Sequence, residues 1–273
     1  MALDLDVTWI HGARDCRQSR DPLIQTHQAD DTTYIFRQSK CANFEAPFMY
    51  LLIGATHSLL LDTGAAVPRG SLPIRSTVDR ILARHTVGRR PLQLIVAHSH
   101  AHADHAAGDA QFARRPHTEI VTSLSEIQTR FGIDEWPDGI GSLDLGERVL
   151  TIIPIPGHED RHIAIHDGNT RVMLTGDTFY PGLLVVNHWP AYRASARRLA
   201  AFARSQDVTW CLGAHVEMPR SGQVFVPPTT FQPDEHPLQM SSDDLFQWAD
   251  ACERLDEAAT GRHTFASFVI DIR

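Results

Sequence analysis

The stretch Ala97-His98-Ser99-His100-Ala101-His102-Ala103-Asp104-His105 constrains this chain more than any other part of it. It follows the apolar run Leu92 to Ala97, which reads as a short buried strand, and precedes Ala106 to Arg114, which reads as a helix. Residues two apart in an extended segment project to the same side, so His100 and His102 face together. Asp104 and His105, opening the helix, point back towards them. Every lettered position of His-x-His-x-Asp-His is a ligand type for first-row transition metals. A lone histidine on a turn is ordinarily structural or solvated; four histidines and an aspartate on one strand-to-helix turn make a metal cradle.

At these residues the chain resembles the metallo-β-lactamase superfamily, and later stretches continue the resemblance in order. Leu61-Asp62-Thr63-Gly64 resembles that family's first motif, Pro156-Gly157-His158 its third, Thr175-Gly176-Asp177-Thr178 its fourth and Gly213-Ala214-His215 its fifth. The resemblance implies an α/β fold, the four-layer αβ/βα sandwich. It places His100, His102 and His158 around one metal and Asp104, His105 and His215 around another, with Asp177 bridging. The implied cofactors are two divalent metal ions, zinc first and iron or manganese as alternatives. Asp62 is implied to brace the metal-bearing loop rather than to bind metal.

Three imidazoles on a divalent ion leave a coordination position for water, as in catalytic zinc sites. The chain resembles the superfamily's dinuclear hydrolase branch, with its glyoxalase II-like and lactonase-like members, and that resemblance implies hydrolysis of a small ester, lactone or thioester by a metal-bound hydroxide. Asp104 orients the hydroxide and carries a proton to the leaving group. Tyr180, three residues after Asp177, resembles a tyrosine that lactonase-like members aim at the substrate carbonyl; packing beside Pro181-Gly182 is the equal alternative. His162, four residues after His158, is placed to support the site from behind. His98, His188 and Glu217 adjoin motifs without an assigned role, and Glu235-His236 is a candidate to reach the cleft. The β-lactamases proper lack the bridging aspartate and often use cysteine at the second metal. Cys211, the only cysteine near a motif, lies inside a strand, so β-lactam hydrolysis is disfavoured. The competing readings are a mononuclear iron sulfur dioxygenase-like oxidoreductase and a phosphodiesterase on the same metal site. A non-enzymatic metal sensor ranks lower, because such proteins ordinarily lose ligands and none is missing here.

With 273 residues, 42% of them hydrophobic, the chain can bury a substantial core, and 1–273 reads as a single domain. Its formal charge of −8, without a basic stripe, argues against a nucleic-acid partner. No apolar run of about 18 residues appears, which argues against a membrane span. Cys16, Cys41, Cys211 and Cys252 are scattered and form no C-x-x-C pair, so a disulfide framework is not expected and a reduced, cytoplasmic setting is. The early charged residues exclude a signal peptide's apolar segment. A small-molecule substrate is the expected partner, with room for a homodimer. Sixteen histidines are many for this length; His11, His27, His57, His85, His117 and His263 carry no motif and read as ordinary.

Along the chain, residues 1–30 read as an irregular N-terminal segment. Strands are expected at 33–36, 48–53, 58–61, 119–121, 150–155, 163–165, 172–175 and 208–212. Helices are expected from Ser71 to Thr86 with Gly88 as stop, from Ser123 to Phe131, and from Ala191 to Ser205. Each implied ligand lies just past an apolar run, as on the rim of a sheet. Residues 217–240 form a proline-rich loop, and with 179–190 they read as the specificity elements. Residues 241–273 read as a C-terminal helix capped at Ser241 or Ser242 and one strand, Thr264 to Ile270.

Overall fold

In a computed structural model, which describes residues 3–67, 72–86 and 90–273, strands outnumber helices among the described residues. The first half runs β1 (Ile24–Asp30), β2 (Thr33–Gln38), β3 (Phe48–Ile53), β4 (His57–Leu61), α1 (Ile74–His85), β5 (Gln93–Ala97), α2 (Ala103–Ala106), a 3₁₀ turn (Asp109–Gln111), β6 (Thr118–Ile120) and α3 (Leu124–Phe131). The second runs β7 (Gly141–Asp144), β8 (Val149–Pro154), β9 (Ile163–Asp167), β10 (Val172–Gly176), β11 (Leu183–Val186), α4 (Trp189–Ser205), β12 (Trp210–Gly213), β13 (Gln239–Ser241), α5 (Ser242–Arg254), β14 (Gly261–Thr264) and β15 (Val269–Ile272).

Two six-stranded sheets, ordered β1-β2-β3-β4-β5-β6 and β13-β12-β10-β9-β8-β7, are accompanied by a small separate sheet, β11-β15-β14. Side-chain alternation decides the layering. In β3, Phe48, Tyr50 and Leu52 enter a core shared with Ile152, Ile163 and Ile165 of the second sheet. Met49, Leu51 and Ile53 turn the other way, onto Ile74, Val78 and Ile81 of α1. The outer face of the second sheet packs Ile153, Ala164, Met173 and Cys211 with Tyr192, Leu199 and Trp248 of α4 and α5. Helix, sheet, sheet, helix is the expected αβ/βα sandwich. Each such buried aliphatic or aromatic side chain contributes about 1.5–3 kcal/mol of transfer free energy.

Local signals act as read. Ser123 accepts the Glu126 N–H while Glu126 returns to the Ser123 N–H, a capping box on α3. Ser241 and Asp244 repeat it on α5. The starting Ser71 and stopping Gly88 of the first expected helix lie outside the described residues.

Several expectations need correction. Residues 1–30 are not wholly irregular, since β1 pairs antiparallel with β2 from Ile24↔Gln38 onwards; its polar residues face water at a sheet edge, so no apolar run marks it. Ala106 to Arg114 is not a continuous helix. α2 ends at Ala106, and Gly108 packs so closely on Thr63 that an added Cβ would meet its carbonyl oxygen. The single C-terminal strand is a hairpin of β14 and β15, and β7 and β11, four residues each, carry too little pattern to be recognised. Cys16 and Cys41 form a disulfide with Cα atoms 5.2 Å apart, which overturns the expectation of unpaired cysteines and removes the support it gave to a reduced compartment. Among the described residues no helix is long and apolar enough to cross a membrane.

The second half of the 217–240 loop is pinned to the N-terminal segment and to β2. Gln232 N–H donates to the His11 carbonyl and Ala13 N–H to the Thr230 carbonyl, both at 2.9 Å. Arg37 Nη2 reaches Glu235 at 2.9 Å.

Candidate metal centre

Five strand ends meet at one edge of the sandwich. β4 ends before Asp62, β5 before the His98 to His105 turn, β8 before His158, β10 before Asp177 and β12 before His215. Parallel pairing of β4 with β5 and of β10 with β12 sends these carboxyl ends the same way, where sites of α/β sheets gather. Gly176 makes the last step passable. Its φ is +51°, and a Cβ there would lie 2.6 Å from His162 Cε1 and 2.7 Å from Ser99 Cβ.

The seven side chains named from sequence come together in two groups, His100, His102 and His158, and Asp104, His105, Asp177 and His215. Within each group the ligand atoms lie within 4.8 Å of one another. Asp177 faces both: Oδ2 is 3.8 Å from His100 Nε2 and 3.6 Å from His158 Nε2, while Oδ1 is 3.5 Å from His105 Nε2 and 3.3 Å from His215 Nε2. Asp104 Oδ2 is 3.2 Å from His105 Nε2 and 3.5 Å from His215 Nε2. His102 Nδ1 is 2.9 Å from His100 Nε2 and 3.1 Å from His158 Nε2.

These side chains fit divalent metal. Charge-assisted N–H···O bonds are ordinarily about 2.7–2.9 Å long, shorter than the histidine–carboxylate distances here. Ligands held about 2.0–2.1 Å from a tetrahedral ion stand about 3.3 Å apart, close to what is seen. His105 Nε2 and Asp177 Oδ1 are buried and lack a hydrogen-bond partner among the described residues, a cost that a shared cation removes.

The far ring nitrogens are held in place. His158 Nδ1 faces the Val185 carbonyl at 2.8 Å, His215 Nδ1 the Glu45 carbonyl at 3.1 Å, and His105 Nδ1 Asp62 Oδ2 at 3.0 Å. Each of these acceptors keeps a proton on Nδ1, so Nε2 is the nitrogen each ring would offer to a metal. Asp62 also accepts the Ser99 N–H at 2.8 Å and the Ser99 hydroxyl at 2.9 Å, and it does so with φ of 67°, a left-handed conformation that costs about 1–3 kcal/mol. His162 stacks on His100, centroids 4.7 Å apart and planes 11° apart, and its Nε2 accepts the Asp177 N–H at 3.1 Å.

Charge divides the site. Burial lowers His100, neighbouring His105 and His162 add to this, and burial likewise holds His158 down. On the other side burial works against the charged form of His215, yet Asp177 and Asp104 outweigh it and hold the ring at about 9. His105 is raised in the same way, against burial, by Asp177 and Asp62. Burial would raise Asp104 and Asp177, but the facing histidines keep both below the usual carboxylate range.

Tyr180 is placed differently from a substrate-facing group. Its side chain is buried, and its hydroxyl lies 2.6 Å from the Leu183 carbonyl, to which it donates, and 2.9 Å from Glu217 Oε2. The ring packs 5.6 Å from that of His215. Glu235 is engaged with Arg37, and His236 turns to the Pro237 carbonyl, so neither reaches the ligands. His188 caps α4 by accepting the Ala191 N–H. Sequence reading missed Asp109, which receives the His98 ring at 3.0 Å and the Thr63 hydroxyl at 2.8 Å; its position four residues after His105 was the available signal. It also missed Arg37 and Lys40, which no local pattern marks.

The metallo-beta-lactamase superfamily model matches residues 42–215. Over 171 residues, 50% of this chain and 60% of the relative, the chain is 30% identical to acyl-coenzyme A thioesterase MBLAC2 of Homo sapiens. Over 139 residues, 50% of this chain and 51% of the relative, it is 30% identical to a hydroxyacylglutathione hydrolase of Mesorhizobium japonicum. The chain thus spans between half and two thirds of the length of these two curated relatives. Among solved structures, a metallo-beta-lactamase from Pontibacter korlensis aligns with a TM-score of 0.56 at 13% identity, covering 85% of this chain and 100% of that one.

Proposed function

Because the chain belongs to the metallo-beta-lactamase superfamily, we propose that it is a metal-dependent hydrolase of small thioesters. The seven side chains would hold two divalent ions, zinc first and iron or manganese as alternatives. One observation carries this reading: the two oxygens of Asp177 face separate histidine pairs, Oδ2 towards His100 and His158 and Oδ1 towards His105 and His215. The thioester follows from the relatives, whose names specify acyl groups carried on coenzyme A and on glutathione.

Bound divalent metal supplies carbonyl polarisation and water acidic enough to ionise near neutral pH. The chain supplies position and proton transfer. Asp104, with its side chain 20% exposed against 10% for Asp177, is the carboxylate that takes the proton of the attacking water on an Oδ atom and passes it to the departing sulfur. Exposed His102 marks the entrance. Asp62, Ser99 and His162 hold the ligands rigid from behind, the Tyr180 ring packs against His215, and Glu217 accepts the Leu183 N–H at 3.2 Å.

The test is thiol release by metal-loaded protein from acyl-coenzyme A and S-acylglutathione, beside an aryl ester, a lactone and bis-nitrophenyl phosphate. Thioester turnover, lost in Asp104→Ala with circular dichroism unchanged, is expected. Oxygen uptake on a persulfide, or phosphodiester cleavage without thioester turnover, would overturn the reading.

A further inference from the structure

Beyond the metal centre, the 217–240 loop builds a groove with a composition of its own. It measures about 580 Å³ and is lined by Arg14, Phe225, Pro228, Phe231 and Pro233 among others. Its floor joins two segments remote in sequence. Ala13 N–H donates to Thr230 O, the Thr230 hydroxyl returns to Ala13 O at 3.0 Å, and Gly12 pairs with Phe231. Gly12 is required there, since its φ is +78° and a Cβ would meet the Thr230 carbonyl. The Cys16–Cys41 disulfide ties the same N-terminal segment to the loop whose Glu45 carbonyl receives His215. The groove is therefore formed before any ligand arrives.

A line of contacts connects it to the metal centre. The Tyr180 ring lies 5.6 Å from that of His215, the Tyr180 hydroxyl lies against Glu217, and the Phe225 N–H donates to the Glu217 carbonyl at 2.8 Å. The lining offers the Phe225 ring, proline rings and a guanidinium seated over the Phe231 ring, 5.0 Å from its centroid, with no carboxylate among the described lining residues. Neighbouring Asp15 is turned away, accepting from the Arg17 N–H and the Gln18 amide. On a chain of net charge −8, an exposed arginine flanked by aromatic and proline surface suits a flat π system that carries phosphate.

We propose that this groove seats the adenine nucleotide head of a coenzyme A thioester, the base against Phe225 and the phosphates towards Arg14, which Phe231 supports from beneath. This rests on the thioester reading and decides within it. A glutathione thioester offers its two carboxylates to Arg14 but carries no aromatic base to stack on this lining, so the base is what separates the two substrates.

The experiment compares butyryl-coenzyme A with S-butyrylpantetheine, which ends before the nucleotide, and separately titrates adenosine 3′,5′-bisphosphate into the protein by calorimetry. The kcat/KM ratio of the two thioesters is expected to be about tenfold or more in favour of the nucleotide, carried by KM. Arg14→Glu and Phe225→Ala are each expected to erase most of that ratio, and Arg14→Glu to abolish bisphosphate binding. A ratio near one in the unmodified protein, or bisphosphate that does not bind it, overturns the proposal even where both thioesters turn over. Failure of both thioesters sinks the thioester reading instead, and the bisphosphate titration then still decides the groove.

Discussion

The two ends of the sandwich both bury charge and treat it in opposite ways. At the end away from the metal centre, Arg148 donates to Asp167 Oδ2 at 2.6 Å, to the Thr33 hydroxyl at 2.9 Å and to the carbonyls of Thr32 and Ile53 at 3.0 and 3.3 Å. Asp167 takes a further bond from the Thr170 hydroxyl. Among the described residues, only Nε of that guanidinium goes without a partner. At the metal end, Asp177 and His105 are also buried, yet among the described residues Asp177 Oδ1 and His105 Nε2 have no hydrogen-bond partner, and the Asp104 and Asp177 oxygens stay 3.2–3.8 Å from the histidine Nε2 atoms. Burial alone does not mark a site. Buried charge that is paired acts as a strut, whereas convergent charge left open is shaped for an ion.

That contrast can be broken by experiment. The largest expected effect is Asp177→Asn, which should cut turnover by about 1,000-fold, equal to roughly 4 kcal/mol of barrier, and lower bound metal, while the melting temperature of the metal-free protein does not fall. A clear loss of metal-free stability would place Asp177 with the struts. Arg148→Met should do the reverse, costing about 3–5 kcal/mol in urea unfolding because Asp167 is left buried and unpaired, with turnover of the folded enzyme unchanged. Lost turnover at unchanged stability would erase the distinction between the two ends.

Lys40 sharpens the comparison, since the metal end also buries a cation. Burial, reinforced by Arg37, lowers its ammonium from 10.5 to about 7. Between those values the unfolded chain holds a proton that the folded chain has released, so stability rises with pH through this window at up to about 1.4 kcal/mol per unit. Lys40→Met should flatten that rise, by at most about 2–3 kcal/mol between pH 7 and 9; parallel stability profiles for both proteins would count against it. The smallest effect is expected from His162→Phe, which keeps a ring against His100 but loses the acceptor of the Asp177 N–H. Metal affinity should weaken about 10–100-fold, and affinity within twofold would leave His162 a packing residue.

What was legible in the sequence follows from how each feature is encoded. The ligands stand immediately past apolar runs, and their residue types say what they bind, so the rim could be read before the sheets were seen. Alternation in Phe48 to Ile53 and the capping residues Ser123 and Ser241 are equally local. The Cys16–Cys41 bond, by contrast, exists because β1 and β2 bring the two segments together, which no spacing discloses. Arg37 and Glu235 meet across 198 positions. β1 was hidden by its polar outer face, and Tyr180, adjacent to a motif, could not be divided between substrate and packing until its hydroxyl was seen against Leu183 and Glu217.

The most direct measurement is the metal content of protein purified without added metal, repeated by titrating zinc into the metal-free form. The account predicts two divalent ions per chain, with Asp177→Asn binding fewer. A single ion at saturation, with Asp177→Asn binding as much metal as the unmodified protein, would contradict it.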